Sequence, residues 1–189
     1  TGPISPRRAL ALLRDVAAAL DHVHACGIAH RDVKPANVML TDAGAVLVDF
    51  GLARIEGEPQ LDERSTIVGT PEYMAPEQAL GLGDHVGPAA DRYALAAMAL
   101  ELLSGQRPYP SMPTGKLLLA IAERSPRRPS EIGLTPGLDA VFARALARDP
   151  ARRFETAVAM IDAIRRAMRR SSSRDTIPAP EGSRTPSAA

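Results

Sequence analysis

A proton acceptor, a cation and a metal-binding amide stand close together between His30 and Asn37, where the sequence reads HRDVKPAN. Asp32 can accept a hydroxyl proton, Lys34 can place positive charge on a phosphoryl group, and Asn37 can offer an amide oxygen. A second carboxylate, Asp49, opens the tripeptide DFG twelve residues after Asn37. Oxygen ligands of this kind suit Mg²⁺, which keeps several waters and shares its site with substrate phosphates. The residue types therefore favour metal-assisted phosphoryl transfer.

A β-hairpin explains the interval between Asn37 and Asp49. The two apolar runs that would form its strands are Val38 to Leu40 and Val46 to Val48, separated by the turn-forming stretch 41–45. If Val38 pairs with Val48, the antiparallel register brings Asn37 opposite Asp49. The hairpin thus predicts that an amide oxygen and a carboxylate converge on one point beside Asp32.

Helices are predicted on both sides of this hairpin. Ser5 followed by Pro6 is typical of a helix start, because the hydroxyl can cap the helix and proline fits its first position. Gly27 supplies the stop. A second helix opens at Pro88 and closes at Gly105, and apolar residues on several of its faces indicate deep burial. Further helical periodicity covers 114–123, 136–147 and 156–169.

Length and composition predict one globular domain followed by a tail. The chain has 189 residues and 45% hydrophobic content, which is enough for a sizeable core. We place that domain at residues 1–170. Residues 171–189 are rich in Ser, Arg, Pro and Thr, and their one large apolar side chain is Ile177, so we predict a disordered tail.

Charge and cysteine content narrow the class of protein. The net charge of +1 provides no global field for nucleic acid or for an anionic membrane. A single cysteine excludes an internal disulfide framework and suits a reducing compartment. No apolar run approaches the roughly 20 residues that a bilayer crossing requires. We expect a cytoplasmic domain without a membrane segment, and anchoring of the full-length protein through a segment beyond Ala189 stays open.

The order of these motifs resembles the protein kinase family. The catalytic-loop and metal-binding signatures of that family match HRDVKPAN and DFG, and the segment GTPEYMAPE at 69–77 resembles the end of a kinase activation segment. The likeness is closest to bacterial Ser/Thr kinases of eukaryotic type. It implies a protein kinase-like α+β fold, here a mainly α-helical C-terminal lobe with a catalytic β-hairpin. The family's glycine-rich loop and phosphate-binding lysine belong to the other lobe, which we expect to precede this chain.

The resemblance implies roles for individual residues. Catalytic roles fall on Asp32 as the base and on Lys34, Asn37 and Thr70, of which Thr70 would contact Asp32 and help to seat the substrate hydroxyl. Roles in binding ATP fall on Lys34, Asn37, Met39, Val48 and Asp49, and the ligands of Mg²⁺ or Mn²⁺ would be Asn37 and Asp49. Lysine two residues after the base is similar to the Ser/Thr-specific pattern.

Two structural contacts are also implied by the resemblance. Glu77, which ends the activation segment, is expected to form a buried ion pair with Arg153. Asp91, near the start of the apolar helix, matches the aspartate that anchors the catalytic-loop backbone in kinases.

Arg31 matches an arginine that can bind a phosphate on the activation segment. The candidate acceptors are Ser65 and Thr66, and Thr70 is a weaker one because its hydroxyl is expected to be occupied beside Asp32. A phosphate on Ser65 or Thr66 would carry more charge toward Arg31 than a carboxylate does. The alternative is that Asp62 and Glu63 satisfy Arg31 without any modification.

More than one class of function remains open on the sequence. The first is a Ser/Thr protein kinase of which this chain is a part of the catalytic domain. Such an enzyme would use ATP to phosphorylate protein substrates and could form a homodimer for autophosphorylation. The second is a catalytically silent kinase-like regulatory or binding module, if the gene itself lacks the N-terminal lobe. A small-molecule phosphotransferase of related fold is disfavoured by Lys34 and by the segment 69–77. The isolated chain is expected to bind ATP·Mg²⁺ weakly and to be inactive.

Overall fold

Helices make up most of the described part of this computed structural model, which comprises residues 4–50, 54–55, 71–82 and 86–174. The α-helices are α1 (Pro6–Ala25), α2 (Pro76–Ala79), α3 (Pro88–Ser104), α4 (Thr114–Glu123), α5 (Asp139–Ala145) and α6 (Ala157–Arg174). The strands are β1 (Ile28–Ala29), β2 (Val38–Thr41), β3 (Gly44–Leu47) and β4 (Arg54–Ile55). Strand β1 pairs with β4 and β2 pairs with β3, both antiparallel. This architecture confirms the predicted helical lobe with a β-hairpin.

Helix α1 begins and ends where the sequence predicts. The Ser5 hydroxyl accepts a hydrogen bond of 3.3 Å from the backbone N–H of Arg8, and Pro6 is the first helical residue. Gly27, just beyond the helix, has a φ of +74°, a left-handed conformation that glycine adopts without strain. The apolar face of α1, which includes Leu13 and Leu20, is buried against the other helices.

Helix α3 forms the centre of the core. Every residue from Tyr93 to Leu100 is buried, which confirms the deep burial that its all-round apolar sequence predicts. The helix packs against α1, α5 and α6, and Gly105 closes it with a φ of +71°. A smaller apolar cluster lies under α4 and includes Met74, which belongs to the segment 69–77.

The register of the β2–β3 hairpin differs by one residue from our prediction. Val38 pairs with Leu47 rather than with Val48, and the turn contains only the two residues between Thr41 and Gly44. Two-residue turns are preferred in hairpins because their twist matches that of the strands.

The contact between Gly44 and helix α1 supplies a further physical reason for this register. The Asp15 carboxylate accepts a hydrogen bond of 3.1 Å from the backbone N–H of Ala45. A β-carbon built on Gly44 would lie 2.5 Å from an Asp15 oxygen, and the φ of Gly44 is +137°. Glycine is therefore the residue that fits this point of the turn, and α1 holds the hairpin in its observed pairing.

The later helices follow the predicted periodicity with two differences. Helix α4 has the predicted bounds, whereas the predicted helix at 136–147 is divided into a 3₁₀ turn (Pro136–Leu138) and α5. Helix α6 continues to Arg174, four residues past the domain boundary that we placed at 170, because each added residue extends an existing hydrogen-bonded helix at little cost. The remainder of the predicted tail, 175–189, lies outside the described residues. Within the described part of the chain, no helix combines the length and apolar character that a membrane span needs.

Candidate active site

Asp32, Lys34 and Asn37 form one hydrogen-bonded cluster at the end of the hairpin. The Lys34 ammonium donates to Asp32 Oδ2 over 2.6 Å. The Asn37 amide nitrogen donates to the same oxygen over 3.1 Å and to the Asp32 backbone carbonyl over 2.9 Å. The Asp32 side chain is 11% exposed and that of Lys34 is 21% exposed, so the cluster is partly sheltered while still open to a substrate.

A short 3₁₀ turn, Pro35–Asn37, carries Asn37 into this cluster. Because the amide nitrogen of Asn37 is bonded to Asp32, its oxygen is the atom that could bind a cation. The Val48 N–H donates to the Asn37 carbonyl over 2.9 Å, which places Val48 beside Asn37. Our expectation that Asp49 lies directly opposite Asn37 is therefore wrong by one residue. Asp49 instead follows the paired residue, with an exposed side chain and a φ of +64°.

The donor chemistry near the hairpin end fits Mg²⁺. An amide oxygen and a carboxylate are hard ligands, and Mg²⁺ takes its remaining ligands from waters and substrate phosphates. No cluster of three or more His, Cys, Asp or Glu side chains that could hold a metal occurs among the residues described. The amide oxygen and the carboxylate suit a cation that shares its site with a phosphate group.

The backbone immediately before Asp32 is strained. Arg31 has a φ of +68°, in the left-handed region that costs a residue other than glycine about 1–3 kcal/mol. Its N–H donates to Asp91 Oδ1 over 2.7 Å, and its carbonyl accepts from the Gln78 side chain over 2.9 Å. The Arg31 guanidinium donates to the Val86 carbonyl over 2.6 Å. Side chains from α2 and α3 thus hold the residue in a conformation that it would not adopt alone.

Asp91 anchors the catalytic loop, as the family resemblance implies. Its carboxylate, only 1% exposed, accepts hydrogen bonds from the backbone N–H groups of His30 and Arg31 and from His24 Nε2, at 2.8, 2.7 and 2.8 Å. A buried carboxylate is stable here because three donors replace its lost hydration.

We expect Asp91→Asn to lower the free energy of unfolding by about 1.5 to 3 kcal/mol, since hydrogen bonds to charged groups contribute that much and the new NH₂ would face donors. Urea unfolding of the chain would measure the loss. Asp162→Asn, a change at a partly exposed carboxylate of α6, is the matched control. Equal midpoints for Asp91→Asn and wild type would contradict the anchoring role.

His30 connects the loop to the hairpin and is not a metal ligand candidate. The ring is fully buried, and its Nε2 lies 3.1 Å from the Val48 carbonyl, an atom that can only accept. Nε2 therefore carries the hydrogen, and Nδ1 accepts the Asp32 N–H over 3.3 Å. The Phe50 ring contacts the His30 ring in a tilted arrangement, with centroids 4.6 Å apart and an interplanar angle of 57°.

Glu77 and Arg153 form the buried ion pair that the resemblance predicts. Both N···O distances are 2.7 Å in a bidentate arrangement, and the two side chains are almost completely buried. Arg153 also donates to three backbone carbonyls, those of Ala89, Ala147 and Arg148. The pair therefore joins α2 to the start of α3 and to the turn before α6.

Tyr73 fixes the described end of the activation segment to α3. Its hydroxyl donates to Glu101, and Glu101 also accepts from Arg107, which reaches Glu72 over 3.0 Å. Burial, followed by the hydrogen bond to Glu101, raises the pKa of Tyr73 far above its ordinary value. Tyr73 therefore stays a neutral donor at physiological pH.

The remaining predicted residues divide into two groups. Met39 is 57% exposed and Val48 is half-buried, so the hairpin presents an apolar surface beside the cluster. Thr70, Ser65 and Thr66, together with Asp62 and Glu63, lie outside the described residues. Sequence reasoning missed Gln78, whose position three residues after the N-cap Ala75 is only half of a capping box, because the usual Ser or Thr is absent.

Comparisons with known proteins agree on the family. The sequence matches the family described as Protein kinase domain over residues 1–163. It is 43% identical over 171 residues to the serine/threonine-protein kinase PknD of Mycobacterium tuberculosis, with 86% of this chain covered. It is 42% identical over 159 residues to PknH of Mycobacterium bovis, with 82% covered, and 39% identical over 168 residues to PknB of Mycolicibacterium smegmatis, with 84% covered. The chain spans about a quarter of the length of these relatives, 26% in each case.

Proposed function

Because this chain belongs to the protein kinase family, we propose that it is the C-terminal lobe of a catalytic domain that transfers the γ-phosphate of ATP to protein Ser and Thr hydroxyls. The observation that carries the proposal is the cluster of Asp32, Lys34 and Asn37, in which a carboxylate, an ammonium and an amide meet within hydrogen-bonding distance. The three relatives named above are all serine/threonine-protein kinases.

Asp32 is assigned the role of base. The substrate hydroxyl oxygen forms a bond to the γ-phosphorus, the bond from that phosphorus to the bridging oxygen breaks, and ADP leaves with the electron pair. The hydroxyl proton passes to the Asp32 carboxylate. Asn37 and Lys34 both donate to Asp32 Oδ2, so they orient the carboxylate before the substrate arrives. Positioning of this kind provides most of the catalysis in phosphoryl transfer.

Lys34 lies two residues after the base, and its ammonium can move from Asp32 to a phosphate oxygen as the substrate binds. We assign it to both catalysis and ATP binding. Thr70 is assigned to the substrate side of Asp32, on the basis of its place in the segment GTPEYMAPE.

Asn37 and Asp49 would hold Mg²⁺ through the amide oxygen and the carboxylate. Mg²⁺ held by these two residues would supply positive charge to offset that of the ATP phosphates. Asp49 is exposed and follows the residue that pairs with Asn37, so its position in the chain favours this assignment. Met39 and Val48 would lie under the adenine, and the exposed side chain of Met39 would provide apolar contact with the base.

Phosphoamino-acid analysis of the full-length protein tests the proposed hydroxyl specificity. After incubation with γ-labelled ATP, Mg²⁺ and a generic basic protein, acid hydrolysis should yield labelled phosphoserine and phosphothreonine, because Lys34 belongs to the Ser/Thr pattern. Label found mainly as phosphotyrosine would contradict that assignment. Absence of any label would contradict the catalytic proposal and favour a silent binding module.

A further inference from the structure

Gln78, on helix α2, connects the end of the activation segment to the residue that precedes Asp32. We propose that Gln78 is a positioning residue: its side-chain amide holds the peptide bond between Arg31 and Asp32 in the orientation that catalysis requires. The inference rests on the proposed kinase function for its consequence, whereas the contact itself is a property of the fold.

The orientation of the Gln78 amide is determined by its two partners. One end lies 3.0 Å from the backbone N–H of Ala75, and the other lies 2.9 Å from the backbone carbonyl of Arg31. An N–H needs an acceptor and a carbonyl needs a donor, so Oε1 faces Ala75 and Nε2 faces Arg31. A reversed amide would place two donors together at one end and two acceptors together at the other. The side chain therefore caps α2 with its oxygen and holds the catalytic loop with its nitrogen.

The peptide unit between Arg31 and Asp32 is held at both of its polar groups. Gln78 donates to its carbonyl, and its N–H, which belongs to Asp32, donates to His30 Nδ1 over 3.3 Å. Asp91 binds the preceding N–H, that of Arg31, over 2.7 Å. Holding both polar groups of this plane restricts the backbone torsions on either side of it, and these torsions determine where the Asp32 side chain lies. Of these three partners, Gln78 is the one that directly follows the segment 69–77, in which Thr70 is the predicted substrate contact.

Helix α2, which carries Gln78, is held in place by a buried ion pair. Glu77, next to Gln78 in sequence, forms the buried bidentate ion pair with Arg153. This ion pair holds α2 against the core. Because Gln78 lies on α2, its hydrogen bond holds the Arg31 carbonyl in a defined place relative to the core. The left-handed backbone of Arg31, with a φ of +68°, is the kind of conformation that persists only when surrounding groups impose it.

Two substitutions separate the capping bond from the bond to the loop. Gln78→Glu keeps an acceptor for the Ala75 N–H but removes the donor to the Arg31 carbonyl. Gln78→Met has nearly the same length and removes both bonds. We expect Gln78→Glu to lower kcat of the full-length protein about 10- to 100-fold with little change in the KM for ATP, because small misplacement of a catalytic group has effects of that size. Gln78→Met should lower kcat similarly and also lower the Tm.

Gln106→Glu is the matched control. Gln106 is an exposed glutamine distant in sequence from Asp32, Lys34 and Asn37, and its side-chain oxygen already accepts a hydrogen bond from Arg127. It should keep wild-type kcat. If Gln78→Glu keeps wild-type kcat while Gln78→Met loses only Tm, Gln78 acts as a helix cap alone and the inference is wrong.

Hydrogen exchange at the Asp32 amide provides a readout that does not require activity. Loss of the Gln78 bond should free the peptide plane, so exchange at this amide should be faster in Gln78→Glu than in wild type, with no change for Gln106→Glu. Equal rates in Gln78→Glu and wild type would overturn the inference. If wild type transfers no phosphate, the proposed function fails, and the exchange rates alone then decide whether Gln78 holds the loop.

Discussion

Replacing Asp32 with Asn in the full-length protein is expected to lower kcat for phosphoryl transfer by about 10²- to 10⁴-fold, the range that a positioned general base contributes. Asn has the same shape and keeps one acceptor oxygen for Lys34 and Asn37, which both bond Asp32 Oδ2 in the structure. It cannot take the hydroxyl proton. The KM for ATP should change little, because Asp32 is assigned to the hydroxyl and not to the nucleotide.

Initial-rate measurements with γ-labelled ATP and a serine peptide would provide kcat and KM for this variant. Asp42→Asn, in the exposed hairpin turn, is the matched control and should behave as wild type. A kcat for Asp32→Asn within threefold of the control would remove Asp32 from the role of base.

Replacing Arg153 with Ala is expected to lower the free energy of unfolding by about 3 to 5 kcal/mol, the cost of leaving a buried charge without its partner. Arg153 is 3% exposed and Glu77 is 4% exposed, so water cannot readily replace the lost guanidinium. Three backbone carbonyls, those of Ala89, Ala147 and Arg148, would lose a donor as well.

Urea unfolding of Arg153→Ala and of Arg152→Ala would measure this loss against an exposed neighbouring arginine. The Arg152 variant should lie within about 0.5 kcal/mol of wild type, as surface changes usually do. The double variant Glu77→Leu/Arg153→Leu should recover part of the stability, because no unpaired charge then remains. Equal unfolding midpoints for Arg153→Ala and Arg152→Ala would contradict the energetic importance of the pair.

Much of the helical scaffold could be predicted because its signals are local. Ser5 and Pro6 define the start of α1, and apolar residues on every face of α3 require burial from Tyr93 to Leu100. The roles of Asp91 and Glu77 needed the family resemblance, since each meets partners far away in sequence that no periodicity reveals. Arg153 lies 76 residues after Glu77, yet the two side chains meet in the core.

The hairpin register shows where local reasoning failed. We predicted that Val38 pairs with Val48 by assuming that residues 41–45 alone determine the turn. The observed pairing with Leu47 depends on Asp15 of α1, which binds the Ala45 N–H and lies against Gly44. A contact of this kind joins residues 30 apart, so the turn sequence does not contain it.

Gln78 was missed for a similar reason. Its capping bond to Ala75 is local and can be inferred from spacing, but its bond to the Arg31 carbonyl depends on how α2 packs beside the loop. That packing includes the Glu77–Arg153 pair next to Gln78, a tertiary contact.

We propose that γ-phosphate transfer depends on Mg²⁺ bound at Asp49, and the metal dependence of labelling tests this most directly. Full-length wild type and Asp49→Asn would be incubated with a serine peptide, increasing Mg²⁺, and ATP labelled at either the γ- or the α-phosphate. We predict that wild type transfers only the γ-label, in proportion to bound Mg²⁺, and that Asp49→Asn transfers none at any Mg²⁺ concentration. Transfer of the γ-label by Asp49→Asn with the metal dependence of wild type, or transfer of the α-label by wild type, would contradict the proposed role of Asp49.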